Sequence, residues 1–399
     1  MDLTLFQESA FGDLVPIGGS LPNGRPWSHH AFLPRPLDQH PPILAGNTYL
    51  RVGNARAALA ALDATAARLP NPRLFRTSTL RLEAQSTAAL EGTYEPLARV
   101  LGADAEDAQD PSLREVLNYV AVAGEAYAWA EEGRSWGVPD LANLQGRLVA
   151  GTPGEREFSS QVRPIQVVIG RREGVPPTEL AIKAARYVPP PPGPDLEARL
   201  RDLIGWMQTD HAHSIDPIVA AAMGHYTFEA LHPFHDGNGR LGRLLIVLQL
   251  FSSGVLSEPT LSVSPWFEAR RMEYYDALLG VSTHADWDSW ISFFAVGLEE
   301  SAHATRTRMM RLVEVQSALK EQLQTTRLRT ANARVLIDYA VGQPTFTVKE
   351  AAQTMGMGHQ GASKLIDSLV THGILAQWGQ RTYNRQFHAP AVMRVLLDA

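Results

Sequence analysis

The chain has 399 residues, of which 45% are hydrophobic and 20% are charged, a composition typical of globular proteins with an ample core. Its net charge of −6 argues against general nucleic-acid binding by the whole chain. The absence of cysteine excludes disulfides, thiol catalysis and cysteine-ligated zinc.

The N-terminal end shows no targeting signal. Its first residues lack the basic start and apolar core of a secretory signal, and no stretch of the chain has the length of an uncharged membrane span. We therefore expect a cytoplasmic protein without membrane contact. Residues 1–45 are rich in Pro and Gly and show little periodicity, so we expect them to wrap the surface of an N-terminal helical region, 1–110.

Residues 46–150 are predicted to be largely helical, with an alanine-rich segment at 53–68 and helices around 77–91 and 111–131. The second of these is read as running from residue 76, with Gly92 as a natural stop. A carboxylate such as Glu91 is unusual at a helix C-terminus, because these ends prefer cations. A buried partner such as Arg243 would resolve the conflict.

Two further elements lead to the centre of the chain. A β-branched strand is predicted at 163–170, and 181–188 can be its antiparallel partner. Asp216 is a predicted N-cap with Pro217 in the first helical position. The helix that follows ends near Leu231 and places the next residue, a histidine, just past its end.

The twelve residues from His232 to Arg243 contain a turn suited to phosphate. Gly237 and Gly239 permit backbone conformations that other residues avoid, and successive N–H groups in such a turn bind anions. The apolar residues that follow have helical spacing. We therefore expect the turn at a helix N-terminus, where the dipole favours phosphate.

Charged groups of the same segment add to this prediction. Arg240 and Arg243 are three residues apart, share a helix face, and can each grip phosphate oxygens. Asp236 is a hard oxygen ligand suited to Mg²⁺ that also contacts substrate phosphates. His232 accepts protons near neutral pH and is the candidate general base. Together these groups predict a site for a polyphosphate nucleotide.

Two kinds of metal site use similar residues. A calcium loop of the EF-hand type is excluded, because neither register of the glycines places acids at the first and twelfth positions. Zinc-dependent hydrolysis is disfavoured, since the chain has no His-Glu-x-x-His pattern. The histidines that would have to form such a zinc site are His211, His213, His225, His232 and His235.

The segment 232–243 resembles, residue for residue, the signature of the Fic family, His-Pro-Phe-x-Asp-Gly-Asn-Gly-Arg-x-x-Arg. The resemblance implies a mostly α fold, with a Fic-type helical core and a small β-hairpin flap. It also implies a protein adenylyltransferase, in which His232 deprotonates a hydroxyl on a target protein. That oxygen attacks the α-phosphate of ATP, pyrophosphate leaves, and AMP remains on the target.

The resemblance also implies roles for individual residues. Asp236 would hold Mg²⁺ against the phosphates, while His235 fills a variable position without a role. Gly237 to Gly239 would form the anion cradle, the two arginines would bind the outer phosphates, and a tyrosine would lie beside the adenosine. The residues expected at the nucleotide are Gly237, Asn238, Gly239, Arg240, Leu241, Gly242, Arg243 and Tyr275.

A second motif implies regulation. The segment from Thr87 to Gly92 resembles the inhibitory motif of many Fic proteins, Ser/Thr-x-x-x-Glu-Gly/Asn. By this resemblance Glu91 pairs with Arg243 and blocks the γ-phosphate of ATP. The enzyme would stay idle until the helix shifts. The flap at 163–188 is where a target protein would add a strand and hold its hydroxyl opposite His232.

The remaining chain is divided by composition. The Fic core is expected at 111–300, and a long charged helix, roughly 297–328, supplies a linking segment at 301–328. Residues 329–399 show the element order of a winged helix-turn-helix, with a return strand from Arg381 to Phe387. This module is basic, but its second helix offers only Ser363 and Lys364 as obvious contacts. DNA binding and protein interaction or dimerisation therefore both stay open.

Three hypotheses follow. The first is an auto-inhibited adenylyltransferase that uses ATP and Mg²⁺, with auto-modification and a homodimer left open. The second uses the same site in reverse, with Glu91 orienting a water that removes AMP from a protein. The third is a transcriptional regulator whose core senses nucleotide while residues 329–399 read DNA.

Overall fold

The computed structural model describes residues 1–7, 9–20, 24–67, 73–103, 109–211, 213–380 and 382–398. This part of the chain is mostly α-helical, as the sequence predicts. None of its helices is both long and apolar enough to cross a membrane. The helices are α1 (Gly46–Ala67), α2 (Arg73–Leu90), α3 (Leu97–Gly102), α4 (Pro111–Glu131), α5 (Val138–Val149), α6 (Ala181–Ala184), α7 (Pro194–Met207), α8 (Pro217–Leu231), α9 (Asn238–Ser252), α10 (Ser264–Ala269), α11 (Arg271–His284), α12 (Trp287–Gln324), α13 (Ala331–Gly342), α14 (Val348–Met355), α15 (His359–Thr371) and α16 (Pro390–Leu397).

The strands of the described residues form small antiparallel sheets. β1 pairs with β2, β3 pairs with β4, and the last sheet has the order β5-β7-β6. The strands are β1 (Gly12–Ser20), β2 (Pro26–Pro34), β3 (Ile169–Arg171), β4 (Ala185–Tyr187), β5 (Phe346–Thr347), β6 (Ala376–Trp378) and β7 (Gln386–His388).

Helices α8 and α9 form the centre of the fold. Asp216 caps α8 by accepting a hydrogen bond from the Ile218 backbone at 2.8 Å, and Pro217 occupies the first turn, as predicted. Nearly every residue of both helices is buried, because α2, α4, α7 and α12 pack around them. The segment between α8 and α9 is thus held by two helices buried on all sides.

Residues 1–45, which the sequence predicts to wrap the surface without clear periodicity, contain two paired strands. β1 and β2 are antiparallel, and Ala31 and Phe32 of β2 are completely buried. The Phe32 backbone N–H also donates to the Val188 carbonyl at 2.9 Å, next to the flap. The sequence did not predict these strands, because they contain prolines and glycines. Proline is tolerated at the ends and on the edges of strands, where no ladder hydrogen bond is lost.

The flap hairpin exists but is shorter than predicted. Its ladder joins only 169–171 to 185–187, and residues 181–184 form a helical turn instead of a strand. The first predicted strand residues bond elsewhere, since the Arg163 backbone donates to the Pro233 carbonyl at 2.9 Å. Arg163 therefore supports the segment 232–243 and not the hairpin.

The long charged helix begins earlier than predicted. α12 starts at Trp287, where the Asp286 carboxylate caps it by accepting from the Ser289 backbone at 3.0 Å, and it ends at Gln324. Its first turns carry Trp290, which is completely buried in the core. One uninterrupted helix thus belongs to the core at one end and reaches residues 329–399 at the other.

Residues 329–399 contain the predicted order of elements, helix, short strand, two helices and two strands, followed by α16. The return strand was predicted from Arg381 to Phe387. The observed β7 covers 386–388, and Arg381 lies outside the described residues. The winged-helix interpretation and the division into domains stay predictions.

Candidate active site

His232 is the C-cap of α8 and has a left-handed backbone, with φ of 46°. Its carbonyl accepts a hydrogen bond from Arg163 Nε at 2.8 Å, which holds the segment after the helix. Burial, with a smaller contribution from the Arg163 charge, lowers the pKa of His232 to about 4. The imidazole is therefore neutral at pH 7 and able to accept a proton.

The loop between α8 and α9 closes on itself. The Phe234 backbone N–H donates to Asn238 Oδ1 at 2.9 Å, and Asn238 Nδ2 donates back to the Phe234 carbonyl at 2.8 Å. Gly237 has φ of 84°, a left-handed conformation that glycine adopts without strain. These contacts fix the start of α9 and its unpaired backbone N–H groups.

Arg240 lies behind this loop. Its side chain is 2% exposed and forms ion pairs with Glu115 at 2.5 Å and with Asp236 at 3.0 Å. The Asp236 side chain is 40% exposed, and its Oδ1 also accepts from the Gly237 backbone at 2.6 Å. Arg240 thus orients the carboxylate that the sequence assigns to the metal.

Arg243 is buried against the C-terminal end of α2. Its Nε donates to Thr87 Oγ1 at 2.7 Å, and its Nη2 donates to the Thr87 carbonyl at 3.1 Å and to Glu91 Oε1 at 2.6 Å. Burial is the largest single influence and raises the pKa of Glu91, but the charge and hydrogen bond of Arg243, with the charges of Arg240 and His232, together bring the pKa below its ordinary value. The unusual carboxylate at this helix end therefore has the cationic partner that its position requires.

The Glu91 side chain also lies against the first turn of α9. Its Oε1 lies so close to Gly239 that a Cβ added there would collide with it. A carboxylate oxygen thus sits against the helix N-terminus and on the guanidinium of Arg243, the two features that attract a phosphate oxygen.

A cavity of about 610 Å³ opens at this point. Its lining includes His232, Gly239, Arg243, Glu91 and Tyr275, and its outer walls are the flap and α11. The structure thus brings the candidate base, one glycine of the cradle and one of the two arginines to a single space.

The other residues of the segment lie behind the cavity wall. Leu241 is completely buried in the hydrophobic core. A Cβ at Gly242 would collide with Glu229 Oε1, so this glycine allows α8 and α9 to approach closely. Tyr275 lines the cavity, and its hydroxyl donates to the Leu90 carbonyl at 3.4 Å. Their contacts with a nucleotide stay predictions.

Two residues at the site were not identified from the sequence. Glu229 lines the cavity, and burial raises its pKa to about 8. Its Oε1 is buried without a hydrogen-bond partner among the described residues. The available signal was the single acidic residue of the mainly apolar α8. Arg163 is 1% exposed and nothing in its sequence context distinguished it.

Two of the five histidines that a disfavoured zinc site would need have other partners. His211 Nε2 lies 2.8 Å from the Trp206 carbonyl, and His225 Nε2 lies 2.7 Å from the Tyr274 hydroxyl. Across the described ranges, no three His, Asp or Glu side chains form a group that could hold a metal.

The sequence matches two models of one protein family. Residues 138–250 match the Fic/DOC family and residues 49–128 match the Fic/DOC family N-terminal region. Protein adenylyltransferase fic-1 of Caenorhabditis elegans is 35% identical over 165 residues, 41% of this chain and 27% of that protein. Protein adenylyltransferase Fic of Culex quinquefasciatus is 34% identical over 109 residues, 27% of this chain and 20% of that protein. The chain thus matches about a quarter of the length of these relatives.

Solved structures show the same fold. A Fic family protein from Desulfovibrio desulfuricans superposes with a TM-score of 0.53 at 21% identity, over 88% of this chain and 98% of that one. Fic-1 of Caenorhabditis elegans gives a TM-score of 0.51 at 22% identity, over 66% of this chain and 74% of that one. Residues 49–128 and 138–250 therefore have the sequence features of the Fic/DOC family, and the fold agrees with that of the solved Fic proteins.

Proposed function

We propose that the chain is an auto-inhibited protein adenylyltransferase, which transfers AMP from ATP to a hydroxyl group of a target protein. One observation carries the proposal. A neutral His232 and a buried Arg243 face one cavity at the N-terminus of α9, with a carboxylate in the place of a phosphate oxygen. The adenylyltransferase names of the relatives support the same activity.

The chemistry follows from these positions. His232 takes the proton of the target hydroxyl as the hydroxyl oxygen bonds to the α-phosphorus. The bond from the α-phosphorus to the oxygen that bridges to the β-phosphorus breaks, and pyrophosphate leaves. Arg243 and the N–H groups at the start of α9 stabilise the negative charge of the outer phosphates. The flap beside the cavity, within 163–188, would position the target.

The site fits one Mg²⁺ ion bound with the substrate. Mg²⁺ commonly takes one or two carboxylates and completes its coordination with phosphates and water. Asp236 is a partly exposed carboxylate at the start of α9, held in place by Arg240. When bound, the ion would neutralise phosphate charge.

Inhibition follows from the place of Glu91. Its carboxylate takes the Arg243 Nη2 donor and the space beside Gly239. ATP cannot set its γ-phosphate there until α2 moves. Removing the carboxylate should therefore restore nucleotide binding without altering the base.

The same geometry favours a second candidate, the removal of AMP from a modified protein. The Glu91 side chain is 33% exposed at the cavity, so it can bind a water molecule as well as Arg243. Glu91 would orient that water, and His232 would take its proton as the water oxygen bonds to the phosphorus. His232 would then pass the proton to the side-chain oxygen of the target as the bond from that oxygen to the phosphorus breaks.

Labelling with ATP radioactive at the α-phosphate tests the proposal, with a cell lysate as target source. We expect Glu91→Gly to incorporate about 5- to 150-fold more label than the wild type, the range of typical coupling free energies. Adding His232→Ala should lower the incorporation by about 100-fold or more, because the general base is lost. His235→Ala in the same background is the matched control, and it should keep the label.

Label from γ-radioactive ATP would indicate phosphate transfer and contradict the proposal. Equal ATP affinities of wild type and Glu91→Gly in calorimetry would refute the blocking role. If no variant is labelled, release of AMP from a previously adenylylated protein by the wild type, and not by His232→Ala, would establish the second candidate.

A further inference from the structure

The C-terminal module (329–399) touches α2, the helix directly before Glu91. Helix α13 lies against α2, and Gln343 Nε2 donates to Thr77 Oγ1 at 3.3 Å. Thr77 lies near the start of α2, and Glu91 directly follows its last residue. At 1.5 Å per residue the two are about 21 Å apart along the helix axis. One continuous helix therefore joins the module to the inhibitory carboxylate.

A second contact runs through α3. Trp378 of β6 packs against Gly102, so closely that a Cβ on Gly102 would collide with the indole nitrogen. Thr345 Oγ1 donates to the Leu101 carbonyl at 3.3 Å. From the other side, Arg81 of α2 donates to the same carbonyl at 3.1 Å. Helix α3 thus links the module to α2 a second time.

The module is also fixed to the core. Asp338 of α13 accepts from Gln316 at 2.6 Å and pairs with Lys320 at 2.5 Å, and both partners lie on α12. That helix is rooted in the core by Trp290, whose indole donates to the Ala222 carbonyl of α8 at 2.9 Å. The module therefore spans the space between α12 and α2, and α2 cannot shift without changing these contacts.

We infer that the C-terminal module holds α2 where Glu91 can reach Arg243, with Trp378 and Gln343 as positioning residues. The inference rests on the proposed function for its catalytic readout only, because the hold on α2 is measurable without any reaction.

The full-length Trp378→Ala variant tests this hold by hydrogen exchange. Amides of residues 80–91 should exchange about 10-fold faster or more than in the wild type, because local opening becomes easier when packing is lost. Gly102→Ala opens the same contact from the other side and serves if Trp378→Ala does not fold. Tyr383→Ala is the control, since Tyr383 belongs to the same module and is 89% exposed.

Label incorporation supplies the second readout. Trp378→Ala should raise it about 5-fold in the wild-type background and less than about 2-fold in the Glu91→Gly background, because both changes release the same restraint. Unchanged exchange in 80–91, or an equal activation in both backgrounds, would overturn the inference. Faster exchange without label in any variant, Glu91→Gly included, would support the hold on α2 and reject the proposed function.

Discussion

The segment 232–243 and the C-terminal module (329–399) differ in whether their basic side chains are buried or exposed. Arg240 and Arg243 are 2% and 1% exposed, and each has an acidic partner, Glu115 in the interior and Glu91 at the cavity. In the module, helix α15 buries Ala362, Ile366 and Leu369, whereas the charged Lys364 stays exposed.

This difference teaches where function can be read from a sequence. Burying a guanidinium is costly unless its partners are in place, so such a group is retained for a reason other than solubility. An exposed lysine on a helix costs nothing and fits many roles. The residues of segment 232–243 therefore indicate which chemistry to expect there. The exposed residues of the module do not indicate which partner it binds.

The largest expected effect comes from breaking a buried ion pair. Arg240→Met should lower the free energy of unfolding by about 3–5 kcal/mol, because it leaves Glu115 buried without its cation. Lys364→Met in the module should change it by less than about 0.5 kcal/mol. Chemical denaturation of both variants measures the contrast. A loss below about 1 kcal/mol for Arg240→Met would mean that the buried charges are not what distinguishes the two regions.

The second effect is on the pH dependence of transfer. In the proposed mechanism His232 acts in its neutral form, and its pKa is lowered to about 4 by burial and by Arg163. The neutral form therefore persists below the ordinary histidine pKa of about 6.5 and is lost only as the pH falls through about 4. Initial rates of Glu91→Gly should stay level between about pH 5 and pH 7.

A matched variant is needed in this pH experiment, because burial raises the pKa of Glu229 to about 8. Glu229→Gln in the same background removes that titration and should leave the acid side of the profile unchanged. A midpoint near pH 6.5 on the acid side, about the ordinary histidine value, would show that the working base is exposed and not buried.

The smallest effect is expected from the module's own charges. Lys364→Ala should leave label incorporation unchanged, since Lys364 is exposed on α15. A filter assay with duplex DNA at low salt tests the alternative role. Retention that weakens with salt and with Lys364→Ala would support DNA reading; complete absence of retention would reject it.

Local chemistry was predictable from the sequence. The spacing of Gly237, Gly239, Arg240 and Arg243 predicted a glycine turn at a helix start, and α9 begins at Asn238. The odd carboxylate of Glu91 predicted a cationic partner, and the pair is present at 2.6 Å. In both cases the signal was a conflict or a preference of the backbone, which nearby residues express directly.

Long-range packing was not predictable in the same way. Arg163 holds His232 from 69 positions away, and Trp378 meets Gly102 across most of the chain. No periodicity encodes such contacts, because they depend on how finished elements pack. The strands β1 and β2 were not predicted for another reason. Their prolines suggested irregular structure, but both strands are edges of a two-stranded sheet, where proline is tolerated.

The contact of Glu91 with Gly239 has a consequence for how inhibition would depend on nucleotide concentration. A carboxylate fixed to the end of a helix acts as a tethered ligand, and its strength is an effective concentration set by the stiffness of its attachment. ATP would compete with the Glu91 carboxylate for the position beside Gly239. Inhibition by Glu91 would therefore raise the apparent KM more than it lowers the rate at saturation. Loosening α2 would lower the effective concentration of the Glu91 carboxylate at this position. The apparent KM for ATP would then fall in the same proportion.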